Sequence, residues 1–405
     1  MKLLNTKKSK IFGAQKIQGI FLGNNVCAPK GVLALGKSLG IKKSGKPDFA
    51  VIFSEVMADA AAVYTSNKVK GAPLIVTKKH LKNGKAQAIV VNSGVSNVCT
   101  GKKGIKDAEE MTKLTGKELG INPKNVVVAS TGLIGAYLPM EKIKNGIKGI
   151  KNELSAKSDV AKAILTTDLV EKEIAIKADN FAIGAIAKGS GMIHPNMATM
   201  LCFITTDAKM PSKELKAMLK NSVDKSFNMM SVDMDTSTSD MVVILANGLA
   251  GKADKKKFQD ALDFVCTEMA KKIAKDGEGS TKLIEVNAKN AKTEEDAKKI
   301  AKSVISSNLV KCAIFGKDVN WGRIMSAMGN SGAKFNENDI DIYFDDKKIV
   351  ENGKGANYDA EKIKKIMDKD ALKITIDLKD GKGSATAYGC DMSYDYIKIN
   401  AEYTT

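Results

Sequence analysis

Residues 188–207 read Lys-Gly-Ser-Gly-Met-Ile-His-Pro-Asn-Met-Ala-Thr-Met-Leu-Cys-Phe-Ile-Thr-Thr-Asp, and they constrain the chain more than any other stretch. Gly189 and Gly191 break the first part into a loop, which Pro195 stiffens at its end. Residues 200–204 are an unbroken apolar run that predicts a strand buried on both faces. Ala198 and Thr199 stand between loop and strand. A threonine at the mouth of a strand is also an ordinary β-branched residue. If the bond between Ala198 and Thr199 is cut, however, Thr199 gains a free α-amine with a pKa near ~8, able to act as base for its own hydroxyl. Such a nucleophile needs no histidine, and the chain has only two, His80 and His194.

The pairing of Lys-Gly-Ser-Gly-Met at 188–192 with His-Pro-Asn-Met-Ala-Thr-Met at 194–200 resembles the self-cleavage signature of the ornithine acetyltransferase (glutamate N-acetyltransferase) family of arginine biosynthesis. The resemblance runs along the whole chain. It implies cleavage between Ala198 and Thr199 into an α chain, 1–198, and a β chain, 199–405, with Thr199 carrying acetyl from N2-acetyl-L-ornithine to L-glutamate. It also implies two α and two β chains per assembly. Acetyl-CoA as a further donor is left open, because family members differ in its use.

Other stretches have both a plain reading and one that the resemblance implies. Residues 126–135, Val-Val-Val-Ala-Ser-Thr-Gly-Leu-Ile-Gly, predict a β-branched strand ending in a glycine turn, whose backbone N–H groups can face a developing oxyanion. An ordinary strand-to-helix turn has the same look. The resemblance makes Thr131 and Gly132 the oxyanion pair. Thr-Thr-Asp at 166–168 reads as a cap to a turn, and by resemblance Thr166 contacts substrate. Lys188, at a strand end beside two glycines, suits a substrate carboxylate. Gly-Glu-Gly-Ser-Thr-Lys at 277–282 lacks the spacing of a phosphate loop. The resemblance puts Glu278 in the substrate site, paired with an amino group, and folds Asn400 and Thr405 of the tail back onto it.

Residues 231–240 hold Asp233, Asp235 and Asp240 but lack the glycine turn and distal glutamate of a calcium loop. They read as a hydrogen-bonded loop near the active site, with no metal. Asp-Val-Asn-Trp-Gly-Arg at 318–323 holds the only Trp and the only Arg. It reads as a fixed structural or active-site contact, or as a capped turn stapled to the core.

The fold class expected is α/β. The resemblance implies an αββα-type sandwich over 1–283 and a smaller α/β domain over 284–405, its tail returning to the active site. Periodicity predicts strands at 48–54, 61–65, 74–77, 88–92, 126–130, 181–187, 200–204, 241–246, 283–286, 311–315, 340–344 and 372–378. Helices are expected at 105–119, 141–153, 156–165, 212–226, 255–275, 293–307 and 360–367. Residues 383–389 and 396–401 complete the C-terminal unit.

The net charge of +18 invites a nucleic-acid reading. Against it, Arg323 is the only arginine among 64 basic residues, the lysines are scattered, and base and phosphate recognition favours arginine forks. A positive surface would still steer anionic substrates. The six cysteines form no C-x-x-C pair, which argues against a zinc site or a disulfide framework. No cofactor is called for, since the threonine and its amine supply nucleophile and base. No uncharged apolar run reaches the roughly 18 residues of a membrane span. The N-terminal lysines precede no apolar core or cleavage site, so a cytoplasmic protein is expected. The nearest rival is a self-cleaving aminopeptidase or amidase, in which water replaces glutamate.

Overall fold

The computed structural model describes residues 20–23, 25–194 and 200–402. A nine-stranded sheet contains β1 (Ile20–Gly23), β2 (Val32–Lys37), β3 (Phe49–Tyr64), β4 (Lys85–Val95), β5 (Val126–Leu133), β6 (Lys172–Ala178), β7 (Phe181–Lys188) and β8 (Leu201–Lys209). After a short β9 (Met230–Ser231) it closes with β10 (Met241–Lys252). The strand order is β1-β6-β7-β8-β10-β3-β4-β5, with β2 also paired to β3.

The long β3 folds this sheet on itself. Its first part pairs with β2 and β4, its register shifts between Phe53 and Ala58, and its last part pairs with β10. Two layers therefore face each other. Side chains alternate along each strand. Ile52, Val91 and Ala129 of one layer meet Ile186, Phe203 and Val243 of the other in the inner core. The residues between them turn outward. Val51, Val90 and Val128 pack under α2 (Gly101–Leu119) and α3 (Met140–Ile147). Ile183, Ile204 and Val242 pack under α6 (Ser212–Lys225) and α7 (Lys255–Lys275). The result is a four-layer αββα sandwich.

The remaining helices in the first half are α1 (Ala72–His80), α4 (Ile150–Glu153) and α5 (Val160–Ile164). A second, seven-stranded sheet joins β11 (Leu283–Ala291), β12 (Asp341–Phe344), β13 (Lys347–Glu351), β14 (Lys354–Gly355), β15 (Ala371–Asp377) and β16 (Gly383–Cys390) to β9. One face packs on α8 (Glu294–Ser306), α10 (Trp321–Gly329) and α11 (Ala360–Met367), through Val304, Ile324 and Ile363. Between α8 and α10 lies α9 (Asn308–Phe315), and α12 (Tyr394–Glu402) ends the described chain.

Several expectations need correction. Residues 74–77 are helical, inside α1, because Pro73 fits a first turn and Leu74, Val76 and Thr77 are buried while Ile75 is exposed. Residues 311–315 are also helical. The Ser307 hydroxyl caps α9 by accepting the N–H of Val310, and Val310 and Ile314 bury one face. The strands expected at 48–54 and 61–65 are one strand, β3. The helix expected over 141–153 breaks at Gly149, which has φ +76. Only Val160–Ile164 of 156–165 is helical. At 318–323 the structural reading fits: Arg323 donates to the carbonyl of Leu309 at 2.9 Å, and Trp321 lies against Gly355, so the pair ties α10 to α9 and to β14.

Candidate active site

Strand ends from both layers meet at one edge of the sandwich. In one layer Lys188 pairs with Leu201, Leu201 with Met241, and Met241 with Tyr64. In the other, Ser93 pairs with Thr131 and Gly94 with Gly132. Loop contacts stitch the two together: Thr65 N–H donates to the Asp240 carbonyl, Gly71 to Thr238, and Ala72 to Asn97, each near 3.0 Å. A Cβ on Gly132 would lie 2.3 Å from the carbonyl carbon of Gly94, at a φ of +125. Only glycine permits that approach. Thr131 is buried beside it.

Ala198 and Thr199 lie outside the described residues, as does Thr405. The chain on either side of 195–199 is held by carboxylates. Asp233 accepts the N–H groups of Met192 at 2.6 Å and Ile193 at 2.7 Å, and Val232 N–H returns a bond to the Ile193 carbonyl. Met192 sits at φ 56, an uncommon region for a side chain that large. On the far side, Asp240 accepts the N–H of Met200 at 2.9 Å. Burial pushes the Asp240 carboxyl up to about 8, against the pull of that N–H. The 231–240 loop thus ties down the chain at 192–193 and again at 200.

Buried charge lies alongside. Lys172 donates to Asp168 at 2.7 Å and to Asp276 at 2.5 Å, and Lys188 stands 3.9 Å from the other oxygen of Asp168. Burial works to raise the Asp168 carboxyl, but Lys188 and Lys172 overcome it and hold that carboxyl well below its usual range. Burial pulls the Lys188 ammonium down, with Asp168 opposing. Asp168 also accepts the N–H groups of Thr166 at 3.0 Å and Gly189 at 2.6 Å, so one carboxylate fixes the neighbourhoods of both Thr166 and Lys188. At 3.9 Å the Lys188 ammonium makes no close hydrogen bond to Asp168.

Glu278 closes the other side. Its N–H donates to the Ser190 carbonyl at 3.1 Å, and the Asn400 amide donates to its carboxylate at 3.0 Å. A Cβ on Gly191 would fall 2.3 Å from that carboxylate, so the glycine loop exists to let Glu278 in. Lys188, Glu278 and Asn400, which are far apart in sequence, therefore converge here, with Thr166 tied in through Asp168. Sequence reading missed the tethering roles of Asp168, Asp233 and Asp240. Among the described residues, no three His, Cys, Asp or Glu side chains are grouped to hold a metal. None of their helices is long and apolar enough to cross a membrane.

The family model described as "ArgJ family" matches residues 33–405. The chain belongs to the ArgJ family. It is 46% identical over 400 residues to the arginine biosynthesis bifunctional protein ArgJ of Symbiobacterium thermophilum, with 95% of this chain and 100% of that protein covered. It is 47% identical over 401 residues to the protein of the same name from Caldanaerobacter subterraneus, covering 95% and 99%. Among solved structures, a chain of Bacillus halodurans ArgJ aligns at 40% identity over 49% of this chain and 97% of that one, with a TM-score of 0.48. Membership of the ArgJ family makes this chain an acyltransferase of arginine biosynthesis.

Proposed function

We propose that this ArgJ-family chain cuts itself between Ala198 and Thr199 and then transfers acetyl from N2-acetyl-L-ornithine to L-glutamate through Thr199. In the first stage the Thr199 hydroxyl adds to the Ala198 carbonyl. The peptide nitrogen leaves as the new α-amine, and water hydrolyses the resulting ester. In the second stage that amine takes the hydroxyl proton while the oxygen attacks the acetyl carbonyl. Thr131 and Gly132 stabilise the oxyanion. Ornithine departs with the proton, leaving acetyl-Thr199, and the glutamate amine attacks this ester in turn. Lys188 binds a substrate carboxylate, and Glu278 with Asn400 receives an amino group. Thr166 and Thr405 complete the contacts.

The observation that carries this reading is the pair of carboxylates, Asp233 and Asp240, gripping the chain on both sides of 195–199 beside a buried Lys188. The relatives are named bifunctional, and acetyl-CoA enters the scheme as a second donor that acylates the same Thr199. The working assembly is two α and two β chains, in the cytoplasm.

The test is intact mass and a denaturing gel of the wild type beside Thr199→Ala. The wild type yields two fragments, the second beginning at Thr199, and the variant stays whole. Ornithine release from N2-acetyl-L-ornithine then depends on L-glutamate. Release at full rate without glutamate would make the chain a hydrolase, and a folded wild type that remains uncut would sink the mechanism.

A further inference from the structure

Lys42 reaches the same edge of the sandwich from a loop that the mechanism does not use. Asp48, fully buried, accepts the N–H groups of Leu39 at 2.7 Å, Ile41 at 2.6 Å and Lys42 at 3.0 Å. Three charge-assisted bonds to one carboxylate fix the loop ahead of β3. The Lys42 stem then lies across Gly94, where an added Cβ would meet its Cγ at 3.2 Å. Gly94 in turn is pressed against Gly132. The ammonium donates to the Pro47 carbonyl at 2.7 Å, leaving two of its three N–H groups for a ligand.

This ammonium shares its field with the buried charges of the site. Burial draws it down to about 8, with Lys188 and Lys46 adding to the fall and Asp48 and Asp168 resisting it. It is half-buried, whereas Lys188 is 2% exposed and Lys172 0%. Lys172 is committed to Asp168, Asp276 and the Val170 carbonyl.

On the reading above, one site must take two amino acids in turn, and they differ in charge. N2-acetyl-L-ornithine brings one carboxylate and a distal ammonium. L-glutamate brings two carboxylates. Lys188 accounts for the carboxylate that both share. A second carboxylate leaving water needs a second cation, and that cation must not block a ligand carrying an ammonium in its place. A rigid buried lysine fails the second condition. A half-buried lysine on a long stem meets both, since it can turn toward an anion or out to solvent.

We propose that Lys42 binds the distal carboxylate of L-glutamate and so selects the acetyl acceptor. This inference rests on the proposed acetyl transfer to glutamate. It makes Lys42 a specificity residue, distinct from the groups that form and break the ester.

The experiment compares L-glutamate with L-glutamine, its neutral counterpart, as acceptors in the full cleaved enzyme. The readout is the ratio of their kcat/KM values, for wild type, Lys42→Met, Lys42→Gln and Lys42→Arg. Both acceptors draw on the same acetyl-enzyme, so loss of folded protein leaves the ratio unmoved. The wild type prefers glutamate. Lys42→Met and Lys42→Gln reduce that preference by about tenfold or more, chiefly through the KM for glutamate, and Lys42→Arg retains most of it. A preference that survives in both neutral variants overturns the assignment, as does a wild type indifferent to the two acceptors. A wild type that acetylates neither amino acid overturns the acetyl-transfer reading, and this inference with it.

Discussion

Asp168 stands between two lysines whose side chains have almost no access to water, and its charge is what lets both remain in the core. Removing it leaves Lys188 with no close counter-ion and Lys172 with Asp276 alone. Breaking one side of a buried pair costs about 3–5 kcal/mol. Asp168→Asn is therefore expected to lose that much stability at pH 7 by urea unfolding. The native carboxyl lies below the ordinary value of about 3.9. Its contribution is therefore complete above that pH and fades as the pH falls toward the native value. The gap between wild type and variant narrows on acidification, and a gap that widened would refute the account. At this scale the glycine loop after Lys188 and the strand that begins at Leu201 were legible, because each is contiguous text. The tethers were not. Asp233 bonds an N–H 40 residues away, and Asp168 one 21 residues away, and no local pattern announces such a pairing. Lys42 was hidden for another reason: one lysine among so many carries no mark until the loop around Asp48 is folded.

The ends of β4 and β5 approach more closely than side chains allow, and this gives the site one of its fixed edges. Gly132→Ala puts a methyl group into the backbone of Gly94 at a φ that already disfavours it. The strand ends must part, and with them the Thr131–Gly132 turn that we propose faces the oxyanion. Loss of one oxyanion donor costs about 100- to 1,000-fold in kcat, so acetyl transfer by Gly132→Ala is expected to fall at least that far. Gly135→Ala is the control. Its φ of +84 is also unfavourable, but no atom lies within 4 Å of the added carbon. It should cost about 1 kcal/mol of stability and little activity. Equal losses in the two variants would mean that backbone strain alone is responsible. Elements were unevenly legible. The 21 residues of α7 follow a clear helical period and were read to the residue. The short β-branched run in α1 was read as a strand, since its helical state is fixed by Pro73 and by packing on β5. The fold of the sheet at β3 depends on which strands pair with each part, and spacing does not reveal that.

The second sheet brings the chain back to a site built almost entirely by the first. Asp391, just beyond β16, accepts the N–H groups of Thr281 at 2.8 Å and Lys282 at 3.1 Å, and the Ser393 hydroxyl donates to the Gly279 carbonyl. These bonds fix the start of α12 beside Glu278. The helix itself has no buried residue, and Tyr394 and Ile397 are 82% and 67% exposed. It reaches the site through the bond from Asn400 to Glu278 and through Tyr396, whose phenol faces Asp233 and Glu278. An element with so little buried surface contributes little to global stability. Deleting residues 394–405 should therefore lower Tm by no more than about 2–4 °C, the shift expected for roughly 1 kcal/mol in a chain of this size. Self-cleavage should proceed, because the carboxylates that grip the chain around 195–199 all precede the deletion. Acetyl transfer should fall by about tenfold or more in kcat/KM, through a raised KM. Asn400→Ala should show the same direction to a smaller degree. If the truncated chain fails to cut itself, the tail belongs to the cleavage machinery. If it cuts itself and transfers acetyl at the wild-type rate, Asn400 has no part in substrate binding.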